Sequence, residues 1–315
     1  MTKKRLAILT GGTSAERDIA LASAKTVADL LAERYDITKF DFPSEIDAFL
    51  AQRDTFDVAI PIFHGKGGED GTVQGFLKTL GVPFLFSDVT AHAIGMDKTL
   101  AKTVVSTVGL HTPSSIVLTR VEFLQGGSPS FQEGARGSLG MVRVVKPLDS
   151  GSTLGITIVR SSNDLQSALE NAFKHSDKVL IEDFIGGDEF TVAVIDEHGE
   201  SIALPVIQIV SPNGIYDHSA KYGPQPAEKL CPAPISEDLT LRLQESAVTA
   251  HKAIGARHLS RTDFIVDREG TIWFLEINTI PGQSVLFPKA VKASGRDFAE
   301  IFADWIESVY LAKSS

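Results

Sequence analysis

Between Leu6 and Ser87 short apolar runs alternate with helical segments, and this alternation restricts the fold more than any other feature of the chain. Leu6–Thr10, Tyr35–Phe42, Asp57–Phe63 and Val82–Ser87 read as strands. The first segment between them places Ile19, Ala22, Ser23, Val27, Leu30 and Leu31 on one helical face, and short helices follow at Glu45–Arg53 and Val73–Leu80. Strands separated by helices of about ten residues pair in parallel through βαβ crossovers. Sheets of that kind gather ligands at the carboxyl ends of their strands. The two glycine-rich polar turns, Gly11–Arg17 and His64–Thr72, both follow strands directly.

The pattern changes near Thr90. A helix carrying Met96-Asp97-Lys98 leads to a strand region at His111–Leu118 and a Gly/Ser-rich stretch, Gly126–Gly140. Strands at Val142–Lys146, Ile156–Val159 and Lys178–Phe184, with a helix at Asn163–Lys174, predict a small α+β unit. Its glycine-rich loop, Pro147–Gly155, joins two antiparallel strands. Glu189–Asp196 and Ser201–Val210 follow, joined at His198-Gly199, then a polar, proline-rich loop, Ser211–Pro234. Helix Glu237–Ile254, a hairpin of Arg261–Val266 with Thr271–Ile277, and helix Phe298–Leu311 close the chain. The expected class is therefore α/β and α+β: an N-terminal parallel βαβ domain (residues 1–95) and two α+β domains (96–186 and 187–315).

Composition narrows the function. A chain of 315 residues is long enough for two or three domains. No stretch approaches the ~18 unbroken apolar residues of a membrane span, and the apolar run after the basic N-terminus is too short for a signal-peptide core. Net charge is −10, which argues against general nucleic-acid binding but leaves a nucleotide site open. Cys231 is the only cysteine, so no internal disulfide or cysteine metal cluster is available, and the cytoplasm is the expected location.

The hairpin carries the most chemistry. With its turn at Arg268–Glu269, Arg261 falls opposite Glu276 and Asp263 opposite Phe274. Arg261, Asp263, Glu276 and Asn278 then project from one face. Two carboxylates and an amide oxygen suit Mg²⁺, and a guanidinium beside them suits a phosphate or developing oxyanion. A plain ion pair on an exposed sheet face fits the same residues. The loop Lys146–Gly155, rich in small and hydroxyl residues, suits either a lid over a phosphate chain or an ordinary hairpin loop. Thr13-Ser14-Ala15-Glu16 matches a helix capping box, or else Glu16 meets a ligand's ammonium. His64 is either a carboxylate partner or a strand-end histidine, and Glu69 and Asp70 suit the N-terminus of the next helix. Lys221 and Tyr222 lie in a loop too polar to be core, either solvated surface or an active-site lid.

Taken in order, Gly11–Arg17, His64–Thr72, Met96-Asp97-Lys98, Val145-Lys146-Pro147, Arg261-Thr262-Asp263-Phe264 and Glu276-Ile277-Asn278-Thr279-Ile280-Pro281-Gly282 resemble the motifs of D-alanine–D-alanine ligases, over about residues 5–310. The resemblance implies an ATP-grasp fold whose second and third domains clasp ATP. It implies the ADP-forming ligation of two D-alanines through a D-alanyl phosphate, for peptidoglycan precursor synthesis. It places Lys98, Lys146 and Lys221 at the nucleotide phosphates, Glu182, Asp183, Phe184 and Ile185 along the adenine, and Glu189 at the ribose. Asp263, Glu276 and Asn278 become Mg²⁺ ligands (two ions, with Mn²⁺ able to substitute). Arg261 and the Gly282 N–H become the oxyanion site. Glu16 receives the first D-alanine's ammonium with His64 nearby, and Ser152 and Tyr222 complete a triad with Glu16. A homodimer is implied as well.

The sequence departs from the family after Gly282. The stretch Gly282-Gln283-Ser284-Val285-Leu286-Phe287-Pro288 is shorter than the family's, which ends in Ser-Leu before a proline and uses that serine for the second substrate's carboxylate. Ser284 is the candidate replacement. A different second substrate, D-lactate, D-serine or another amino acid, is the main alternative, followed by a non-catalytic nucleotide-binding module. Gly11-Gly12-Thr13 lacks the spacing of a dinucleotide-binding loop, which leaves an oxidoreductase the weakest option.

Overall fold

The computed structural model describes residues 3–126, 142–148, 155–211 and 226–313. It opens with β1 (Arg5–Gly11), α1 (Arg17–Leu31), β2 (Asp36–Phe42), α2 (Ile46–Gln52), β3 (Val58–Pro61) and α3 (Thr72–Thr79). β1 pairs in parallel with β2 and β3 on either side, as crossover helices require. Successive β1 side chains enter opposite cores. Leu6 and Ile8 join Val27 and Leu31 of α1, whereas Ala7 and Leu9 join Phe40, Phe49 and Phe63. Val82–Ser87, expected as a fourth strand, contributes only an isolated bridge from Phe84 to Ala59. Pro83 has no N–H for a ladder, and Phe86 turns out of extended backbone at φ 73°.

The expected helix through Met96-Asp97-Lys98 is two helices, α4 (Val89–Met96) and α5 (Lys98–Thr107). Asp97 breaks them, because at φ −91°, ψ 106° it is extended and its carboxylate caps the N–H groups of Thr99 and Leu100. Lys98 therefore starts a helix instead of lying within one.

β4 (Ser115–Thr119), α6 (Arg120–Leu124), β5 (Arg143–Pro147), β6 (Thr157–Val159), α7 (Ser162–Ala172) and β7 (Lys178–Asp183) follow. The four strands form an antiparallel sheet of order β4-β7-β5-β6, with β5 and β6 paired as expected. Ala168, Leu169 and Ala172 of α7 pack on Val145 and Val179.

The last part comprises β8 (Gly187–Glu197), β9 (Glu200–Ala203), β10 (Ile207–Val210), β11 (Glu228–Leu230), α8 (Glu237–Ala253), β12 (Leu259–Asp267), β13 (Ile272–Asn278), α9 (Leu286–Ala293) and α10 (Phe298–Lys313). Its sheet runs β11-β10-β8-β12-β13, with β9 along the end of β8. His198 (φ 53°) and Gly199 (φ 86°) make the tight turn between β8 and β9. The strand expected over Ser201–Val210 divides at Pro205 into β9 and β10. β11 and α9 were not anticipated. α9 tolerates Pro288 because the proline lies in its first turn.

α10 returns to the N-terminal sheet. Phe302, Trp305 and Ile306 share a core with Leu6, Ile8 and Phe86, and with Ala193, Ile195 and Leu259 of β8 and β12. Arg257 and His258 reinforce the junction: Arg257 Nε donates to the Phe86 carbonyl at 2.9 Å, and the Phe86 N–H donates to His258 Nδ1 at 3.0 Å. The loop after β3 meets the residues just past β13 through Glu69, which accepts the Ile280 N–H, and the loop after β1 joins it through the Ser14 hydroxyl and the His64 carbonyl. Among the described residues no helix is long and apolar enough to cross a membrane.

Candidate active site

A cavity of about 450 Å³ opens where those loops meet, lined by Glu16, His64, Gly65 and Glu69 on one side and by Arg261, Glu276, Asn278 and Gly282 on the other, with Lys98 between them. The hairpin supplies the floor. Arg261 pairs with Asn278 and Asp263 with Glu276, which corrects the expected opposition of Arg261 to Glu276 and of Asp263 to Phe274. Two offsets add: the pairing next to the turn, Phe264 with Phe274, is already one residue from the expected register, and a β-bulge between Asp263 and Phe264 puts one extra residue on β13 and adds the second. At the cavity end the shift from the expected register is two residues, an even number, so the four polar side chains still share one face.

Arg261 forms a bidentate pair with Asp263, Nε–Oδ1 and Nη2–Oδ2 both at 3.1 Å. Thr191 donates its hydroxyl to the same carboxylate. Lys98 Nζ lies 3.4 Å from Glu276 Oε2. Among the described residues no group of three or more His, Cys, Asp or Glu side chains is spaced as a metal cluster. The donor set that remains, Asp263, Glu276 and Asn278, is all oxygen, which fits Mg²⁺ and not a softer ion. Among the described residues the Asn278 amide nitrogen, Nδ2, is buried without an acceptor, a donor that suits a phosphate or carboxylate oxygen and not the metal itself.

Of the residues expected along the nucleotide, Glu182 is buried on β7. Lys102 reaches one of its carboxylate oxygens and Lys146 the other. Burial alone would raise the Glu182 carboxyl, but Lys146 and then Lys102 outweigh it, and the group titrates below its ordinary range. Burial lowers the Lys102 ammonium to about 8 in spite of Glu182. Asp183 pairs with Arg143, and the Arg160 guanidinium lies over the Phe184 ring at 5.8 Å. Ile185 is half-buried, and Glu189 lies half-buried on β8 opposite Ile265. Sequence reasoning missed Lys102. Its signal was the spacing from Lys98, since residues four apart share a helix face.

The N-terminal loops corrected two expectations. The capping box does not form: α1 starts at Arg17, and Glu16, in the N-cap position, makes no side-chain cap. Ser14 instead donates to the His64 carbonyl at 2.6 Å and accepts from the Glu16 N–H at 3.2 Å. Gly65 has φ 76°, and a Cβ there would sit 3.0 Å from Glu16 Oε2, so glycine is what lets the two loops touch. His64 is buried, and burial followed by the Arg261 charge lowers it to about 4, leaving a neutral imidazole. Glu69, expected to serve a helix N-terminus, is buried at the cavity wall instead, where its carboxyl accepts the Ile280 and Gly65 N–H groups. Burial, with Glu16 adding repulsion, pushes its carboxyl up to about 8. Ser284 lines the cavity mouth beside Val285, Leu286 and Lys229. Ser152, Lys221 and Tyr222 lie outside the described residues.

Comparison with known proteins identifies the family. The family described as D-ala D-ala ligase C-terminus matches residues 104–307, and D-ala D-ala ligase N-terminus matches residues 43–87. The chain is 39% identical over 304 residues to a D-alanine–D-alanine ligase of Syntrophotalea carbinolica, covering 96% of this chain and 94% of that one. It is 37% identical to a D-alanine–D-alanine ligase of Halalkalibacterium halodurans, covering 96% and 98%. Among solved structures, the D-alanine–D-alanine ligase of Bacillus anthracis complexed with ATP superposes with a TM-score of 0.81 at 29% identity, covering 98% of each chain. The VanG D-Ala:D-Ser ligase of Enterococcus faecalis does so with a TM-score of 0.81 at 28% identity, covering 98% and 100%. With both family halves matched in order and the relatives aligned over nearly the whole length, the chain belongs to the D-alanine–D-alanine ligase family.

Proposed function

We propose that this chain joins two D-alanines in an ATP-dependent, ADP-forming ligation, with the described cavity as its centre. The observation that carries the reading is the meeting of Glu16, Lys98, Arg261, Glu276, Asn278 and Gly282 around one space. Glu16 receives the ammonium of the first D-alanine. Lys98 and Lys146, with Lys221, hold the phosphates, and Glu182 to Ile185 and Glu189 hold adenine and ribose. A carboxylate oxygen of the D-alanine attacks the γ-phosphorus, and the bond to the β-phosphate oxygen breaks to release ADP. The protein's part in that step is to position the groups and offset spreading charge. Asp263, Glu276 and Asn278 would hold Mg²⁺, which supplies charge neutralisation to the phosphates when bound.

The neutral amine of the second D-alanine then attacks the acyl carbon. The resulting oxyanion faces the Arg261 guanidinium and the Gly282 N–H, and phosphate leaves with the C–O bonding pair as the attacking nitrogen gives up its extra proton to the departing phosphate. Ser152 and Tyr222 belong to the closure that excludes water from the acyl phosphate. Lys98 at the cavity wall, already paired to Glu276, would shift to phosphate as the nucleotide arrives. Division into units 1–95, 96–186 and 187–315, cytoplasmic residence and a homodimer belong to the same proposal, and sedimentation velocity tests the last.

The acceptor is the one point with a second reading. The short segment after Gly282 and the likeness to a D-Ala:D-Ser ligase favour D-serine as the alternative. Phosphate release with ATP, Mg²⁺ and D-alanine, followed by mass spectrometry with D-alanine, D-serine or D-lactate as acceptor, separates them. D-alanyl-D-alanine as the main product supports the proposal; a mixed product with no D-alanyl-D-alanine refutes the acceptor assignment.

A further inference from the structure

The segment Thr279–Gln283, which carries Gly282, is held from behind by buried side chains of the N-terminal part of the chain. Glu69 spans two loops: one carboxyl oxygen accepts the Ile280 N–H at 3.1 Å and the other accepts the Gly65 N–H at 3.2 Å. Ser23 Oγ accepts the Gln283 N–H at 3.2 Å and lies 3.1 Å from His64 Nε2. One hydroxyl thus lies within hydrogen-bond distance of both the Gln283 amide and the His64 ring, and links the two. A further contact comes from α4, where His92 Nδ1 meets the Thr279 hydroxyl at 2.6 Å. A Cβ at Gly95 would sit 3.1 Å from Thr279 Cγ2, so the helix approaches as closely as glycine allows. Ser23, His64, Glu69 and His92 are all buried.

The two held amides bracket a short stretch. Ile280 is held by Glu69 and Gln283 by Ser23, and of the two residues between, Pro281 has no amide hydrogen. Gly282 therefore carries the one N–H between the two anchors, and Gly282 lines the cavity. We propose that Ser23 and Glu69 are positioning residues that, with His64 between them, clamp the backbone on both sides of Gly282 and set the direction of its N–H. The clamp also ties the loop that receives the first substrate to the loop that stabilises the oxyanion, so both ends of one reacting molecule are registered by the same side chains. The role given to the Gly282 N–H rests on the proposed reaction; the clamp itself does not.

The test uses Glu69→Gln and Ser23→Ala in the full chain. A glutamine offers one acceptor oxygen, so it cannot hold the Ile280 and Gly65 amides together. Amide exchange followed by NMR should show the Ile280 amide exchanging at least about tenfold faster in Glu69→Gln, and the Gln283 amide likewise in Ser23→Ala. Because displacement of a reacting group by about 1 Å costs on the order of 10²-fold in rate, kcat should fall roughly 30- to 100-fold in each variant, with the KM for ATP within about twofold of wild type. Unchanged protection at both amides overturns the clamp, as does a kcat loss matched by an equal rise in the ATP KM. If one variant does not fold, the other decides alone. Should wild type form no dipeptide, the reaction assignment fails, while the exchange measurement still confirms or overturns the clamp.

Discussion

Removing either partner from the Glu182 cluster should destabilise the protein by different amounts, and the order of the two costs is fixed by charge. Glu182, Lys102 and Lys146 expose 3%, 5% and 8% of their side chains, so all three charges are largely desolvated. One carboxylate between two ammoniums leaves a net charge of +1. Lys102→Met reduces this to zero and leaves Glu182 paired with Lys146. Its cost should be that of a lost charged hydrogen bond, about 1.5–3 kcal/mol, part of it returned by methionine packing. Glu182→Gln raises the net charge to +2 and leaves two buried ammoniums without a counter-charge, which should cost about 3–5 kcal/mol. Urea unfolding followed by circular dichroism measures both. ATP titration provides a second readout, with affinity falling more in Glu182→Gln. The reasoning fails if Lys102→Met costs as much as Glu182→Gln, since the charges would then not be acting as a single buried cluster.

Glu276→Gln should abolish D-alanine-dependent phosphate release at ordinary Mg²⁺, and raising Mg²⁺ should restore part of it; near-normal turnover would remove Glu276 from the metal site. Ser284→Ala should raise the apparent KM of the second D-alanine more than that of the first, and an equal rise would mean that Ser284 does not face the acceptor. Stability should fall as pH drops from about 6.5 toward 4. His64 and His92, both lowered to about 4, and His258, lowered to about 3, stay neutral in the fold, so the unfolded chain takes up three protons first. Glu69, raised to about 8, opposes this with one proton bound in the folded state. Thermal unfolding at pH 7 and pH 5 measures the net slope, which His92→Gln should flatten; an unchanged slope would contradict the buried-histidine account.

The parallel sheet was legible because strand and helix periods differ, and the central antiparallel sheet because β5 and β6 flank a glycine-rich loop. The shared face of Arg261, Asp263, Glu276 and Asn278 was legible too, because period two survives any even shift in register. The pairing itself was not, because neither the one-residue offset at the turn nor the bulge at Asp263/Phe264 leaves a mark in a sequence that alternates on either side of it. Thr13 through Glu16 matches a capping box in letters, yet Ser14 bonds the His64 loop, a partner fifty positions away that no local pattern reveals. Asp97 breaks a helix where the apolar pattern runs on through it, because its carboxylate caps the next turn. Ser23 stood out only as a hydroxyl in an apolar stripe, and its meaning came from two residues far along the chain, His64 and Gln283. Sequence order marked the loops that carry chemistry; the side chains that hold those loops together became visible only in three dimensions.

The central claim is that the first D-alanine is activated as an acyl phosphate before the amine attacks. D-alanine labelled with ¹⁸O in its carboxyl group, incubated with the purified protein, ATP and Mg²⁺, tests this directly by mass spectrometry of both products. The account predicts D-alanyl-D-alanine together with phosphate carrying one ¹⁸O for each peptide bond, because the attacking carboxylate oxygen departs with the phosphorus. Dipeptide accompanied by unlabelled phosphate would contradict it.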